Sequence, residues 1–188
     1  MLFLLLGAGL VDEGSDTPEG AIVNFSQGSG FIISPEGHVL TNVHVEAREI
    51  AWVVIDDEPR RLDLVALETD LDLALYRLEG ADDVEWIPIR AKPPVRYEPI
   101  TCIGYLDKDL SISQGRMRSR PEMLGGIPII EHNAPTLWGS SGSPLLDTHG
   151  EAIGVHWAWS ETRRTLLAID LPAAVALWEP LAEVVPPS

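Results

Sequence analysis

The chain is 188 residues long, 45% apolar and 22% charged, a globular composition with enough material for one domain or two small fused lobes. Its 13 Lys+Arg against 29 Asp+Glu leave a formal charge of −16, a field that repels phosphate backbones and anionic lipid and so excludes nucleic acid as a default partner. The single cysteine, Cys102, excludes an internal disulfide framework and any multi-cysteine metal site, while 15 prolines and 16 glycines interrupt the chain too often for a helical bundle.

In chain order, Met1 to Val11 is the one strongly apolar run, and its eleven residues are too few to span a bilayer. It lacks the cationic start and small-x-small cleavage site of an export signal, and two readings stand side by side: a buried edge strand or truncated start, and export. Asp12 to Gly20 is a polar, turn-rich connector. With no disulfides to report an oxidising compartment, the cytoplasm is the expected location, ahead of a secreted or periplasmic one.

From residue 20 onward, short β-type runs alternate with turn clusters every eight to twelve residues, the pattern of a sandwich or barrel. The predicted strands are Ala21–Phe25, Gly30–Ser34, His38–Thr41, Ile50–Ile55, Arg61–Leu67 and Leu73–Leu78. After a break at Ala91–Pro94 come Ile100–Gly104, Leu110–Arg116, Ile127–Glu131, Ser143–Leu146, Ala152–Ala158 and Thr165–Ile169. Pro172 to Glu183 carries Ala174, Leu177, Trp178 and Leu181 at helical spacing, and Pro180 should kink or shorten that helix. The pattern predicts an all-β fold of two six-stranded antiparallel β-barrels with a C-terminal helix. The expected units are an apolar start and acidic connector (1–19), a first barrel (20–90), a linker (91–97), a second barrel (98–171), and a helix with tail (172–188).

The densest chemistry lies in Gly139-Ser140-Ser141-Gly142-Ser143-Pro144. Small residues on both sides of Ser141 allow a sharp turn that presents backbone amides on one side. Acyl transfer needs that arrangement: a serine oxygen at the carbonyl carbon and N–H donors, here those of Gly139 and Ser141, where the oxyanion develops. A tight Gly/Ser hairpin is the plain alternative. An α/β-hydrolase elbow fits less well, because Ser143 stands where that motif wants Gly. A serine hydroxyl also needs a base, and His44, at the end of the apolar run Val39-Leu40-Thr41-Asn42-Val43, is the best placed of five histidines. Of the others, His38 and His149 lie in turns beside Gly and read as solvated, and His132 adjoins an expected loop at Asn133. The imidazole in turn needs an acceptor, and Asp72, flanked by Leu71 and Leu73, is a carboxylate too costly to bury unpaired.

The stretches GSGFIISPEGHVLTNVHV, DLDLALYRL, ITCIGY and APTLWGSSGSPLLDTHGEAIGVHWA resemble trypsin-like (chymotrypsin-fold) serine peptidases, and most closely the bacterial HtrA/Deg and glutamyl-endopeptidase branches. The resemblance covers roughly residues 20 to 185, with its motifs in family order. It implies chymotrypsin-like paired barrels, His44, Asp72 and Ser141 as a triad in the cleft between them, and an oxyanion hole at Gly139 and Ser141. Ser140 stands where trypsin-type enzymes carry the Asp of their zymogen switch, so that switch is expected to be missing. In glutamyl endopeptidases a histidine lies on the strand after the nucleophile and a threonine five residues before it. His156 and Thr136 match, so a pocket for an acidic P1 side chain is expected, with Trp157 and Ala158 beside it in contact with substrate. Cys102 reads as a small buried hydrophobe.

These readings predict a serine endopeptidase acting on protein or peptide substrates, with no cofactor, no metal, no nucleic acid and no membrane span. Oligomeric state is left open. The alternative is a catalytically silent or latent domain of the same fold that serves as a protein-binding or regulated partner module.

Overall fold

The computed structural model describes residues 21–25, 28–55, 58–81, 84–106, 109–119, 121–136 and 139–185. Met1–Val11 and the connector after it lie outside the described residues. Among the described residues thirteen strands form two antiparallel sheets. In the first, β1 (Ile22–Phe25), β2 (Gly28–Ile32), β3 (His38–Thr41), β4 (Ile50–Ile55), β5 (Glu58–Glu68) and β6 (Leu73–Leu78) run in the order β1-β2-β3-β6-β5-β4. The second contains β7 (Pro99–Leu106), β8 (Asp109–Arg116), β9 (Glu122–Leu124), β10 (Ile127–His132), β11 (Pro144–Leu146), β12 (Ala152–Ser160) and β13 (Thr165–Asp170), ordered β8-β7-β11-β12-β13-β10-β9. All twelve predicted strands are present. The thirteenth, β9, pairs only with β10, across a hairpin turn in which Gly125 and Gly126 both have positive φ.

Burial follows the strand pattern. On edge strand β8 side chains alternate towards solvent, whereas the inner strands β11 and β13 are buried almost along their length and read as near-continuous apolar runs. One apolar core runs from Ala21 to Leu181, through Phe31, Leu75 and Tyr76 of the first sheet to Leu146, Val155 and Ile169 of the second. The segment after β6 makes backbone bonds to both halves: Ile87 N–H donates to the Ile32 carbonyl, and Ile89 bridges Ala152 in parallel. Its Arg90 guanidinium lies between the carboxylates of Glu98 and Asp147. His38, read from sequence as solvated, is half-buried with Nδ1 2.8 Å from Ser34 Oγ.

The terminal helix divides as Pro180 requires. α1 (Leu171–Leu177) stops at Trp178, which is extended (φ −125°), and α2 (Glu179–Val184) starts with proline in its first turn. Asp170 precedes α1 without a side-chain cap bond, is 1% exposed, and among the described residues its Oδ1 has no hydrogen-bond partner. Burial pushes its carboxyl up from 3.8 to about 6, opposed by the Ala173 backbone N–H and, by less, by the nearby Arg90. Between those two values the folded chain binds more protons than the unfolded one, so raising the pH through that window lowers stability, and the loss is complete above it. Asp170→Asn is therefore expected to stabilise the fold at pH 7.5 and to do little at pH 4. Denaturant unfolding of both proteins across that range checks this, and a difference that does not change with pH contradicts it.

Candidate active site

The turn carrying Ser141 is held from both halves of the molecule. Ser143 N–H donates to the Ser140 carbonyl (3.0 Å), and Gly142 N–H to the His156 carbonyl (2.9 Å), while His156 N–H donates to the Ser143 carbonyl (2.8 Å). From the first sheet, Ser29 N–H donates to the Ser141 carbonyl at 2.7 Å. Gly142 has φ +84°, and a Cβ there would lie 1.9 Å from the Ser29 carbonyl oxygen, so only glycine fits. Among the described residues, neither the Gly139 nor the Ser141 amide donates to the backbone. In the same turn the Ser140, Ser141 and Ser143 carbonyls and the Gly142 and Ser143 amides are tied down.

His44 follows β3 in a turn and faces Asp72, at the end of the turn between β5 and β6. Its Nδ1 lies 2.5 Å from Asp72 Oδ2, and its backbone N–H donates to Asp72 Oδ1 at 3.0 Å. A third donor is Trp157 Nε1–H, 2.9 Å from Oδ2. Asp72 is held backbone-first: its carbonyl accepts from Val43 N–H and Asn42 Nδ2, and its φ is +55°, a region that Asp and Asn tolerate better than most residues. An ionised carboxylate is acceptor-only, so Nδ1–H of His44 is the proton in that contact and Nε2 carries the lone pair.

Trp157 reaches Asp72 because of a backbone irregularity. In the β12–β13 ladder His156 pairs with Ala168 and Ala158 with Leu167, leaving Trp157 as the bulged residue between them. A bulge re-aims its side chain, here across to the first sheet. Trp157, read from sequence as a substrate contact, turns its indole onto Asp72. Its carbonyl also accepts from Ser141 Oγ, at 3.4 Å. One residue thus joins the carboxylate to the serine. No hydrogen bond links Ser141 Oγ to His44 itself; such contacts are often long without substrate.

His156 is 4% exposed and its Nδ1 lies 3.1 Å from Nε2 of His132, a fully buried ring that meets it edge-on. His132, read from sequence as a loop neighbour, is the last residue of β10, and the pair meets across β13, where the small Ala168 lies in register with His156. Burial lowers both imidazoles, His156 to about 4 with a smaller push from His44, and His132 well below its ordinary value with help from His156. Thr136 and Ala158 are half-buried, and Trp159 is the exposed tryptophan of this strand. Cys102 is buried, its thiol pushed up to about 12 by burial, which keeps it from acting as a nucleophile.

The family model for the trypsin-like peptidase domain matches residues 28–155. The chain belongs to that family. Over 141 residues it is 30% identical to a probable periplasmic DegP-like serine endoprotease of Pseudomonas fluorescens, covering 70% of this chain and 29% of that protein. Its identity to the DegP-like protein of Pseudomonas savastanoi is 29%, covering 80% and 31%. The chain thus spans about a third of the length of these relatives. A serine endoprotease of Yersinia pestis superposes with a TM-score of 0.73 at 27% identity, covering 87% of this chain and 63% of that one. The Mycobacterium tuberculosis protease Rv3671c shares the fold at 21% identity, with a TM-score of 0.73 and 91% of each chain covered. The sequence expectation of a cytoplasmic location is overturned by the DegP-like relatives, which are named as probable periplasmic enzymes.

Proposed function

We propose that the chain hydrolyses peptide bonds through an acyl-enzyme on Ser141, with His44 as general base, Asp72 as the group that orients it, and the Gly139 and Ser141 amides as oxyanion donors. The observation that carries this reading is the Asp72 carboxylate: it holds the His44 ring at Nδ1 and accepts from the indole of Trp157, whose carbonyl receives the Ser141 hydroxyl. Attack on a substrate carbonyl moves the Ser141 proton to His44 Nε2, and Asp72 stabilises the imidazolium. The amine leaves with that proton, and water repeats the sequence to release the acid. The substrates are proteins or peptides, and the periplasm is the location that goes with the DegP-like relatives.

For the P1 side chain we propose a carboxylate, bound by His156 with Thr136. His132 Nδ1 has no hydrogen-bond partner among the described residues, and a buried orphan lone pair costs less than a buried orphan N–H. The His132 proton therefore belongs on Nε2, donated to His156 Nδ1, and His156 keeps its own proton on Nε2. Burial keeps the pair neutral, so the pocket offers a donor without a charge. A peptide library varied at P1 tests this: the wild type is expected to favour Glu, His156→Ala to lose at least tenfold of that preference, and Ser141→Ala to cleave nothing. A wild-type profile indifferent to Glu and Asp removes the acidic pocket and leaves the triad standing.

One observation favours the latent alternative, that the domain is silent until a partner acts: the Ser141 hydroxyl donates to Trp157 and not to His44. Turnover of the isolated chain in the same library decides between the two readings.

A further inference from the structure

The GSG run that opens the trypsin-like resemblance has a serine at its centre, Ser29, for which the reaction above has no use. Ser29 lies on β2 and is fully buried. Each of its polar groups is engaged, and three of its four bonds cross to the second half of the molecule. Its carbonyl accepts from Thr41 Oγ1 at 2.6 Å, and its N–H donates to the Ser141 carbonyl at 2.7 Å. Its hydroxyl accepts from Tyr105 N–H at 2.7 Å and lies 3.2 Å from the Gly139 carbonyl. Because a backbone N–H occupies the acceptor side of Oγ, the single hydroxyl proton is directed to Gly139.

The consequence lies in which peptide planes are held. Ser29 fixes the planes after Gly139 and after Ser141, one by side chain and one by main chain. Between them lies the Ser140–Ser141 peptide, whose N–H is one of the two proposed oxyanion donors and whose carbonyl accepts from Ser143 N–H. Gly139, with φ +99° and no side chain, has little of its own to resist rotation. The space around Oγ is close: a Cβ on Gly104 would lie 2.9 Å from it. Deleting the hydroxyl leaves the Tyr105 N–H and the Gly139 carbonyl without this partner, in a site with little room for a replacement.

We propose that Ser29 is a positioning residue for the oxyanion turn: its hydroxyl, seated on Tyr105, pins the Gly139 carbonyl so that the Gly139 and Ser141 amides converge on the developing oxyanion. The proposal rests on Ser141 being the nucleophile. Since an oxyanion contact strengthens in the transition state, its loss falls on kcat and not on substrate affinity.

The test is Ser29→Ala, which keeps both main-chain bonds and removes only the hydroxyl. A fall in kcat of about 10- to 100-fold is expected, below the 10²–10³ of removing an oxyanion donor outright. KM is expected to stay within threefold, and inhibition by a peptide aldehyde, which forms the tetrahedral adduct, to weaken by the same factor as kcat/KM. Affinity for intact peptide, measured with Ser141→Ala and with the Ser29→Ala/Ser141→Ala double variant, is expected to be equal. A kcat within threefold of wild type in folded Ser29→Ala overturns the proposal, as does an equal loss of affinity for intact peptide. Should Ser29→Ala not fold, Ser29→Cys, close in volume but a weaker donor, is judged by the same criteria. Failure of the nucleophile reading is recognised separately, by turnover that survives Ser141→Ala in the otherwise wild-type chain.

Discussion

His44→Ala is expected to lower kcat for a cleaved peptide by about 10⁴- to 10⁶-fold while changing KM little, the range seen when the base of such a triad is removed. The imidazole lowers the barrier by receiving the serine proton as the new bond forms, and among the described residues of the site no other is placed to take that role. His156 is buried and held near 4, and His132 is buried behind it. The side chain of His44 is 45% exposed, so truncating it opens no cavity in the core and the variant is expected to fold as the wild type does. Steady-state kinetics with matched unfolding curves checks both halves of the statement. A folded His44→Ala within tenfold of wild type would remove the imidazole from the mechanism.

The second large effect is expected at Asp72. Both carboxylate oxygens face donors: Oδ1 the His44 amide, Oδ2 the His44 ring and the Trp157 indole. An amide in the Asn variant must therefore turn its NH₂ towards a donor in either orientation. With NH₂ at Oδ2, His44 can answer only by moving its own proton to Nε2, the tautomer unable to act as base. With NH₂ at Oδ1, the His44 backbone N–H loses its acceptor and the ring shifts. Either way the expected loss in kcat is about 10⁴-fold. Asn also accepts the positive φ of this position, which makes Asp72→Asn a cleaner variant than Asp72→Ala. Activity within tenfold of wild type in a folded Asp72→Asn would contradict the orienting role.

Much of the fold was legible because it is written in short-range patterns. Short, near-continuous apolar runs between turn clusters marked the inner strands, and Pro180 marked the break between α1 and α2. β9 escaped because Glu122–Leu124 is three largely exposed residues whose strand character comes from its pairing with β10, although the Gly125-Gly126 turn signal was there to be read. The candidate site was legible as residue types in order, not as contacts. His44 and Asp72 are 28 residues apart, and nothing local announces that a bulge at Trp157 sends an indole to Asp72, 85 residues away in sequence. The His132–His156 pair was hidden for a related reason, since it meets across an intervening strand whose register no sequence period fixes. Ser29 was visible only as the middle of a small-residue run. Its bonds to Tyr105 and the Ser141 turn depend on how two sheets approach each other.

The central claim is that Ser141 is a nucleophile activated in the cleft between the sheets. Incubation with a fluorophosphonate probe, followed by peptide mapping in a mass spectrometer, tests it most directly. One adduct is expected, on the peptide carrying Ser141, formed in the wild type and lost in Ser141→Ala. A folded wild-type chain that takes up no probe, or carries it on another serine, contradicts the account.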